Sequence, residues 1–224
     1  MNSDLVEVIR TYATKSHSDL NDLLLGKSKH NIISILVDLL TTYYNDKNSS
    51  TLREFVVVSL SGFESNPDKI GYNGYKHDGI GKRTKFCEAK PKNVNTNDTK
   101  PKRLNGGGNF TDYTWARLRK DKRSNPTMLI GGFVDGRLIY IFKFPFNSKG
   151  FISRLEYQLN SKFPDGDISG IFLRSASFGF NHYRDARGLE VEIFVSRQEL
   201  PQYENSITKG LYSFIEQHAR SDET

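Results

Sequence analysis

The reading of the fold turns on His77-Asp78-Gly79-Ile80-Gly81-Lys82-Arg83-Thr84-Lys85-Phe86-Cys87-Glu88-Ala89-Lys90. Thr84 to Lys90 has the apolar, alternating pattern of a strand, and Tyr72 to Gly79 before it reads as its hairpin partner, the turn falling at Ile80 to Arg83. Alternate side chains of a strand share a face, so Glu88 and Lys90 project together while Cys87 and Ala89 point the other way, towards a packed layer. With Asp78 on the preceding strand, the hairpin is expected to carry its carboxylate beside Glu88. Two close carboxylates repel unless a positive charge lies between them, and a hard divalent cation held by oxygen, Mg2+ above all, meets that need. The plainer alternative is a surface ion pair between Glu88 and Lys90, with Asp78 capping the turn before Gly79.

Working outward, the upstream chain is helical. Leu5, Val8, Ile9 and Tyr12 fall at helical spacing, and Ile32 to Tyr44 carries Ile32, Ile33, Leu36, Leu39, Leu40 and Tyr43 on one face. Thr51 to Leu60 leans helical. Downstream, Asn93 to Asn109 holds several asparagines, the Lys100-Pro101 step and Gly106-Gly107-Gly108, and is expected to be a mobile loop. A helix capped by Thr111 or Asp112 should run to about Arg123, with Tyr113, Trp115 and Leu118 among its basic residues. Met128 to Val134 and Arg137 to Phe144 form a second hairpin about Asp135-Gly136, a strong two-residue turn signal. A helix from Phe151 to Phe163, strands at Ile168 to Ala176 and Leu189 to Val195, and a helix from about Asn205 to His218 complete the chain. The order implies one α/β domain over residues 1–224, a mixed central sheet flanked by helices on both faces, with residues 1–50 a helical part available for dimerisation.

Charge is concentrated rather than spread. Of 32 Lys and Arg and 26 Asp and Glu, thirteen bases and four acids lie between Lys82 and Arg123, an excess of +9 within a total of +6. The rest of the chain is at −3. A block of this kind suits a phosphate backbone, although a solvated basic loop has the same composition. A single cysteine excludes a disulfide framework and a cysteine zinc site, and the five histidines have no ligand spacing. No apolar run reaches membrane-spanning length and no signal peptide precedes the first helix, so a soluble intracellular protein is expected.

Asp78 followed ten residues later by Glu88-Ala89-Lys90 at the end of an apolar strand resembles the Asp…(Asp/Glu)-x-Lys signature of the PD-(D/E)XK nuclease superfamily, which includes many type II restriction endonucleases. The resemblance covers about fourteen residues, with the order of elements as looser support. It implies a restriction-endonuclease-like fold in which Asp78, Glu88 and the backbone carbonyl of Ala89 hold Mg2+. Lys90 would then orient or help deprotonate the water that attacks a phosphodiester. The literal Pro-Asp pair, Pro67-Asp68, reads more naturally as a turn, and Asp78 is taken as the first acid although it lacks the family's proline. Glu54, with Glu64 behind it, is the candidate for the additional acid that many such enzymes place on a preceding helix; a solvated helix glutamate is the other reading.

Lys82, Arg83, Lys92, Lys102 and Arg103, together with Arg117, Arg119 and Lys120 on the following helix, are the expected phosphate contacts. Arg174, Asn181, Arg184 and Arg187 fall in a segment dense in groove-reading side chains and are the expected base contacts, a polar strand connection being the alternative. The family implies a homodimer acting on double-stranded DNA, the N-terminal helices supplying its interface, in functional pairing with a DNA methyltransferase. A structure-specific repair or recombination nuclease and a non-catalytic DNA-binding protein are the competing expectations.

Overall fold

The computed structural model describes residues 2–45, 50–66, 71–77, 79 and 83–220. In chain order the elements are α1 (Ser3–Thr14), α2 (His17–Leu25), α3 (Lys29–Asn45), α4 (Thr51–Leu60), β1 (Glu64–Ser65), β2 (Gly74–Lys76), β3 (Lys85–Ala89), β4 (Lys92–Val94) and β5 (Gly108–Tyr113). Then come α5 (Trp115–Ser124), β6 (Thr127–Val134), β7 (Arg137–Pro145), α6 (Lys149–Lys162), β8 (Leu173–Phe178), β9 (Glu190–Ile193) and α7 (Lys209–His218). The protein is mixed α/β. Its main sheet runs β1-β2-β3-β6-β7-β9, with β3 and β6 parallel and the other neighbours in that order antiparallel.

The β6–β7 hairpin forms the centre. Asp135 and Gly136 turn it with φ of 48° and 85°, the left-handed pair that matches the twist of the flanking strands. Both strands are almost wholly buried because each face of the sheet is covered. On one face α1 and α4 pack Leu5, Ile9 and Val56 to Val58 against Cys87, Ala89, Leu129, Leu138 and Ile141. On the other, α6 and α7 bring Phe151, Leu155, Leu159, Leu211 and Ile215 against Met128, Ile130, Phe142 and Phe144.

One edge of β6 is shared by two strands. Cys87–Ala89 pairs with Thr127–Leu129, and Lys92–Val94 pairs with Gly132–Val134. Pro91 separates them because it has no N–H to give to the ladder. Lys90 therefore sits at a break in the sheet, its own N–H still donating to the Leu129 carbonyl at 2.8 Å.

Several expectations are corrected. Thr111 to Tyr113 do not begin a helix: they extend β5, which pairs antiparallel with β8 in a separate two-stranded ribbon. The helix starts after Thr114, whose hydroxyl accepts from the Arg117 N–H at 3.1 Å. A strand partner 60 or so residues away outweighs the local capping signal. The 93–109 stretch is not a free loop, since β4 extends to Val94 within it and the fully buried Leu104 exchanges backbone hydrogen bonds with Ser206 and Thr208. β8 is shifted to 173–178, and the C-terminal helix begins only at Lys209, after a 3-10 segment at Leu200–Ser206. On α3 the inward side carries Ile35 and Leu39, while Ile32, Ile33, Leu36, Leu40 and Tyr43 are exposed. Polar ties to α1 orient it: Asn2 donates to Asp38 at 2.7 Å and Asn31 to Asp4 at 3.0 Å. Among the described residues no helix is long and apolar enough to cross a membrane.

Candidate active site

β3 and the residue that follows it deliver Glu88 and Lys90 to one face, as the alternation of a strand requires, and Cys87 and Ala89 are buried on the other. Glu88 is only 6% exposed, and its Oε1 lies 2.8 Å from the Lys90 ammonium. Burying a carboxylate this deeply costs several kcal/mol unless cations accompany it. A second cation does. Arg117, in the first turn of α5, sets Nη2 3.9 Å from the same Oε1.

Arg117 is held from several sides. Its guanidinium carbon lies 5.5 Å from the centroid of the Phe110 ring and 5.4 Å from that of Tyr113, Nη1 donates to the Thr111 carbonyl at 3.0 Å, and Nε is 3.8 Å from Asp121 Oδ2. Lys90 Nζ stands 4.7 Å from the Phe110 centroid, so one aromatic ring supports both cations. Asp121, 4% exposed, accepts from Tyr72 Oη at 3.0 Å and from Tyr113 Oη at 3.2 Å. Burial raises its carboxyl above the usual range, the two hydrogen bonds and Arg117 oppose that, and Glu88 adds to it. The desolvated Tyr72 phenol is pushed up to about 12, so it stays a donor. Burial, aided by the Glu88 charge, pushes the Cys87 thiol up to about 12 and removes it as a nucleophile.

Glu54 is joined to the back of the site through Asn73. The Asn73 amide donates to Glu54 Oε2 at 3.1 Å and accepts from the Ala89 N–H at 2.9 Å, fixing the strand at the residue between Glu88 and Lys90. On the open side, Gly108 passes over Lys90 so closely that an added Cβ would sit 2.9 Å from the lysine Cβ. Lys92, on the same side of the chain as Lys90, donates to Asn105 at 3.3 Å, and Asn105 in turn accepts from the Gly107 N–H at 3.1 Å. Desolvation, with Lys102 adding repulsion, lowers the Lys92 pKa. A phosphate beside Lys92 and Lys102 would relieve that repulsion.

The chain matches no protein-family model and no curated protein. Its chemistry is read from these side chains.

Asp78, Asp68 and Lys82 lie outside the described residues. In the β2–β3 ladder Gly74 pairs with Cys87 and Lys76 with Lys85, so continuing it sets Asn73 opposite Glu88. Among the described residues no three His, Cys, Asp or Glu side chains converge on a common point for a metal. Of the expected phosphate contacts, Arg117 reaches the site. Arg83, Lys102 and Arg103 are exposed along the same block, whereas Arg119 pairs with Asp167 at 3.4 Å, away from Glu88, and Lys120 is a solvated position on α5. Of the expected base contacts, Arg174 is exposed on β8, and Asn181, Arg184 and Arg187 are exposed on the connection that follows, where Arg184 pairs with Asp185 at 3.3 Å. That connection is anchored by buried Phe180 and Tyr183, with the Tyr183 hydroxyl donating to the Gly106 carbonyl at 2.6 Å. Sequence reasoning missed Asp121, Tyr72 and Asn73. Asp121 had one available signal, its place four residues after Arg117 on the same helix face.

Proposed function

We propose that the protein hydrolyses phosphodiester bonds of double-stranded DNA in a Mg2+-dependent reaction, as a sequence-specific endonuclease of type II restriction character with a restriction-endonuclease-like fold. The observation that carries this reading is the pairing of the buried Glu88 carboxylate with Lys90 at the end of β3, at a break in the sheet and beside an aromatic-braced Arg117. The local basic excess supports a polyanionic substrate.

Glu88 and the Ala89 carbonyl fit Mg2+ in kind, being hard oxygen donors next to one another, and both ion pairs of Glu88 run through Oε1. Asp121 does not fit, because hydroxyls occupy both its oxygens. The second carboxylate of the proposed set is Asp78. Bound there, Mg2+ would supply charge neutralisation at the phosphate and a more acidic attacking water. The chain's own groups do the rest. Lys90, a donor with no acceptor, holds the attacking water by a hydrogen bond. Arg117 takes the charge that grows on the phosphate oxygens as the bond to the leaving oxygen breaks, and its rings and Thr111 keep it in place beforehand. Asp121 and Tyr113 position Arg117, and Asn73 positions the Ala89 backbone. Lys92, Lys102 and Arg103 hold flanking phosphates, while Arg174, Asn181, Arg184 and Arg187 read the bases.

One observation favours a second reading, a DNA-binding protein without catalysis: Glu88 is already matched by two cations, and an amide rather than an acid continues the register opposite it. Incubation with a long natural duplex, with and without Mg2+, separates the two. Discrete fragments that vanish with EDTA support the nuclease, and shifted but intact DNA supports binding alone.

A further inference from the structure

β5 and β8 stand apart from the main sheet as a two-stranded antiparallel ribbon. One face of the ribbon is buried through Phe110, Ala176 and Phe178, and the other exposes Asn109 opposite Ser177 and Thr111 opposite Ser175. Both edges are engaged. The outer edge of β8 is held by α6, whose Gln158 amide accepts from the Ser177 N–H and donates to the Ser177 carbonyl, each at 2.9 Å. The other edge of β5 borders the Glu88–Lys90 pair: the Thr111 carbonyl accepts from Arg117 at 3.0 Å, and Gly108 lies over Lys90. Backbone groups that point out of the ribbon mark the non-hydrogen-bonded pairs of an antiparallel ladder, in which the side chains stand closest. Asn109, Ser177, Thr111 and Ser175 therefore form one tight polar patch beside the candidate site.

We propose that this outward face enters the major groove of DNA and reads base edges, with Asn109 contacting an adenine. Shape, chemistry and position favour that partner. A two-stranded ribbon is one of the elements that the major groove, about 12 Å wide, admits. Asn109 and Thr111 are uncharged within a segment that holds thirteen Lys and Arg, and Ser175 and Ser177 opposite them are uncharged too. An Asn amide matches the donor and acceptor of adenine, hydroxyls pair with any base, and the Thr methyl suits the methyl of thymine. Two residues of extended strand separate Asn109 from Thr111 by about 7 Å, the rise of two base pairs. A duplex with a phosphate at Arg117 meets the patch next to it, and the exposed Lys102 and Arg103 before β5 and Arg174 on β8 are placed for the flanking phosphates. β8 also runs on into the exposed 181–187 connection, which extends the same surface. This placement rests on the proposed DNA substrate but not on cleavage.

Selecting duplexes with the full chain in EDTA, from a pool with a randomised core, measures reading without cutting. The wild type should enrich one sequence that contains an A·T pair. Asn109→Ala should lose discrimination at that pair by about tenfold or more, the worth of a bidentate contact, and Thr111→Ala at a neighbouring pair. Neither change removes a charge, so affinity for unselected duplex and the slope of log K against log salt should stay at wild-type values. A purely structural role would instead weaken binding to all sequences alike. Replacing the adenine by an analogue with C–H in place of N7 should weaken the wild type about as much as Asn109→Ala does, and should cost that variant nothing further. Asn160→Ala, at an exposed amide on α6, should leave the selected sequence unchanged. Enrichment of no sequence, an unchanged preference in Asn109→Ala, or an equal effect of Asn160→Ala would overturn the proposal. A selected duplex that the wild type binds but does not cut with Mg2+ would overturn the nuclease reading and leave the ribbon's role standing.

Discussion

Burial holds the Asp121 carboxyl above the usual carboxylate range, against the pull of its tyrosines and Arg117 and with help from the Glu88 charge. A carboxyl raised in the folded state takes up its proton there first. Its contribution to stability is therefore complete below the unfolded value of 3.8 and is lost as pH rises through the folded value. Asp121→Asn removes that titration. In urea melts, the stability of the wild type relative to Asp121→Asn should grow as pH falls from neutral towards 3.8 and level off below it. A difference independent of pH would show that Asp121 is not the titrating group. Lys90 also bears on stability. Lys90→Met keeps the stem against Phe110 but leaves Glu88 buried with only a distant guanidinium, at a cost of about 1–3 kcal/mol. Lys90→Met combined with Glu88→Gln should cost less than the two single changes summed, the signature of a coupled pair in a double-mutant cycle.

At the scale of elements, α5 matters because it carries both Arg117 and Asp121. Thr114→Ala deletes its N-cap and should destabilise the protein by about 1 kcal/mol in denaturant unfolding. Because α5 positions Arg117, the same variant should lower the turnover of any cleavage more than it lowers DNA affinity. What the sequence made legible is the part written in local patterns: the Asp135-Gly136 hairpin, the placing of Glu88 and Lys90 on one face with Cys87 and Ala89 on the other, and the helices at 51–60 and 149–162. What it concealed depends on partners distant in the chain. β5 is a strand because β8 lies beside it, and Leu104 is anchored by Ser206 and Thr208. The apolar stripe on α3 was legible as a stripe, but a second apolar face and the polar ties of Asp38 and Asn31 decide which side turns inward. Tyr72 and Tyr113 meet on Asp121 from positions 49 and 8 residues away, a convergence that no local spacing announces.

Across the whole molecule, a basic excess concentrated between Lys82 and Arg123 would make the proposed binding to DNA a matter of counterion release. Affinity for a short duplex should fall steeply with salt, and Lys102→Ala or Arg103→Ala should each reduce the slope of log K against log salt by about 0.9. A surface contributing nothing would leave the slope unchanged. Most directly, the central claim rests on Glu88 serving catalysis rather than binding. Wild type and Glu88→Gln should be compared on the same duplex for cleavage with Mg2+ and for binding in EDTA. The account predicts that cleavage falls a hundredfold or more, since several kcal/mol of transition-state stabilisation is lost, while binding is retained. Cleavage by Glu88→Gln at the wild-type rate, or no Mg2+-dependent cleavage by the wild type of a duplex that it binds, would contradict it.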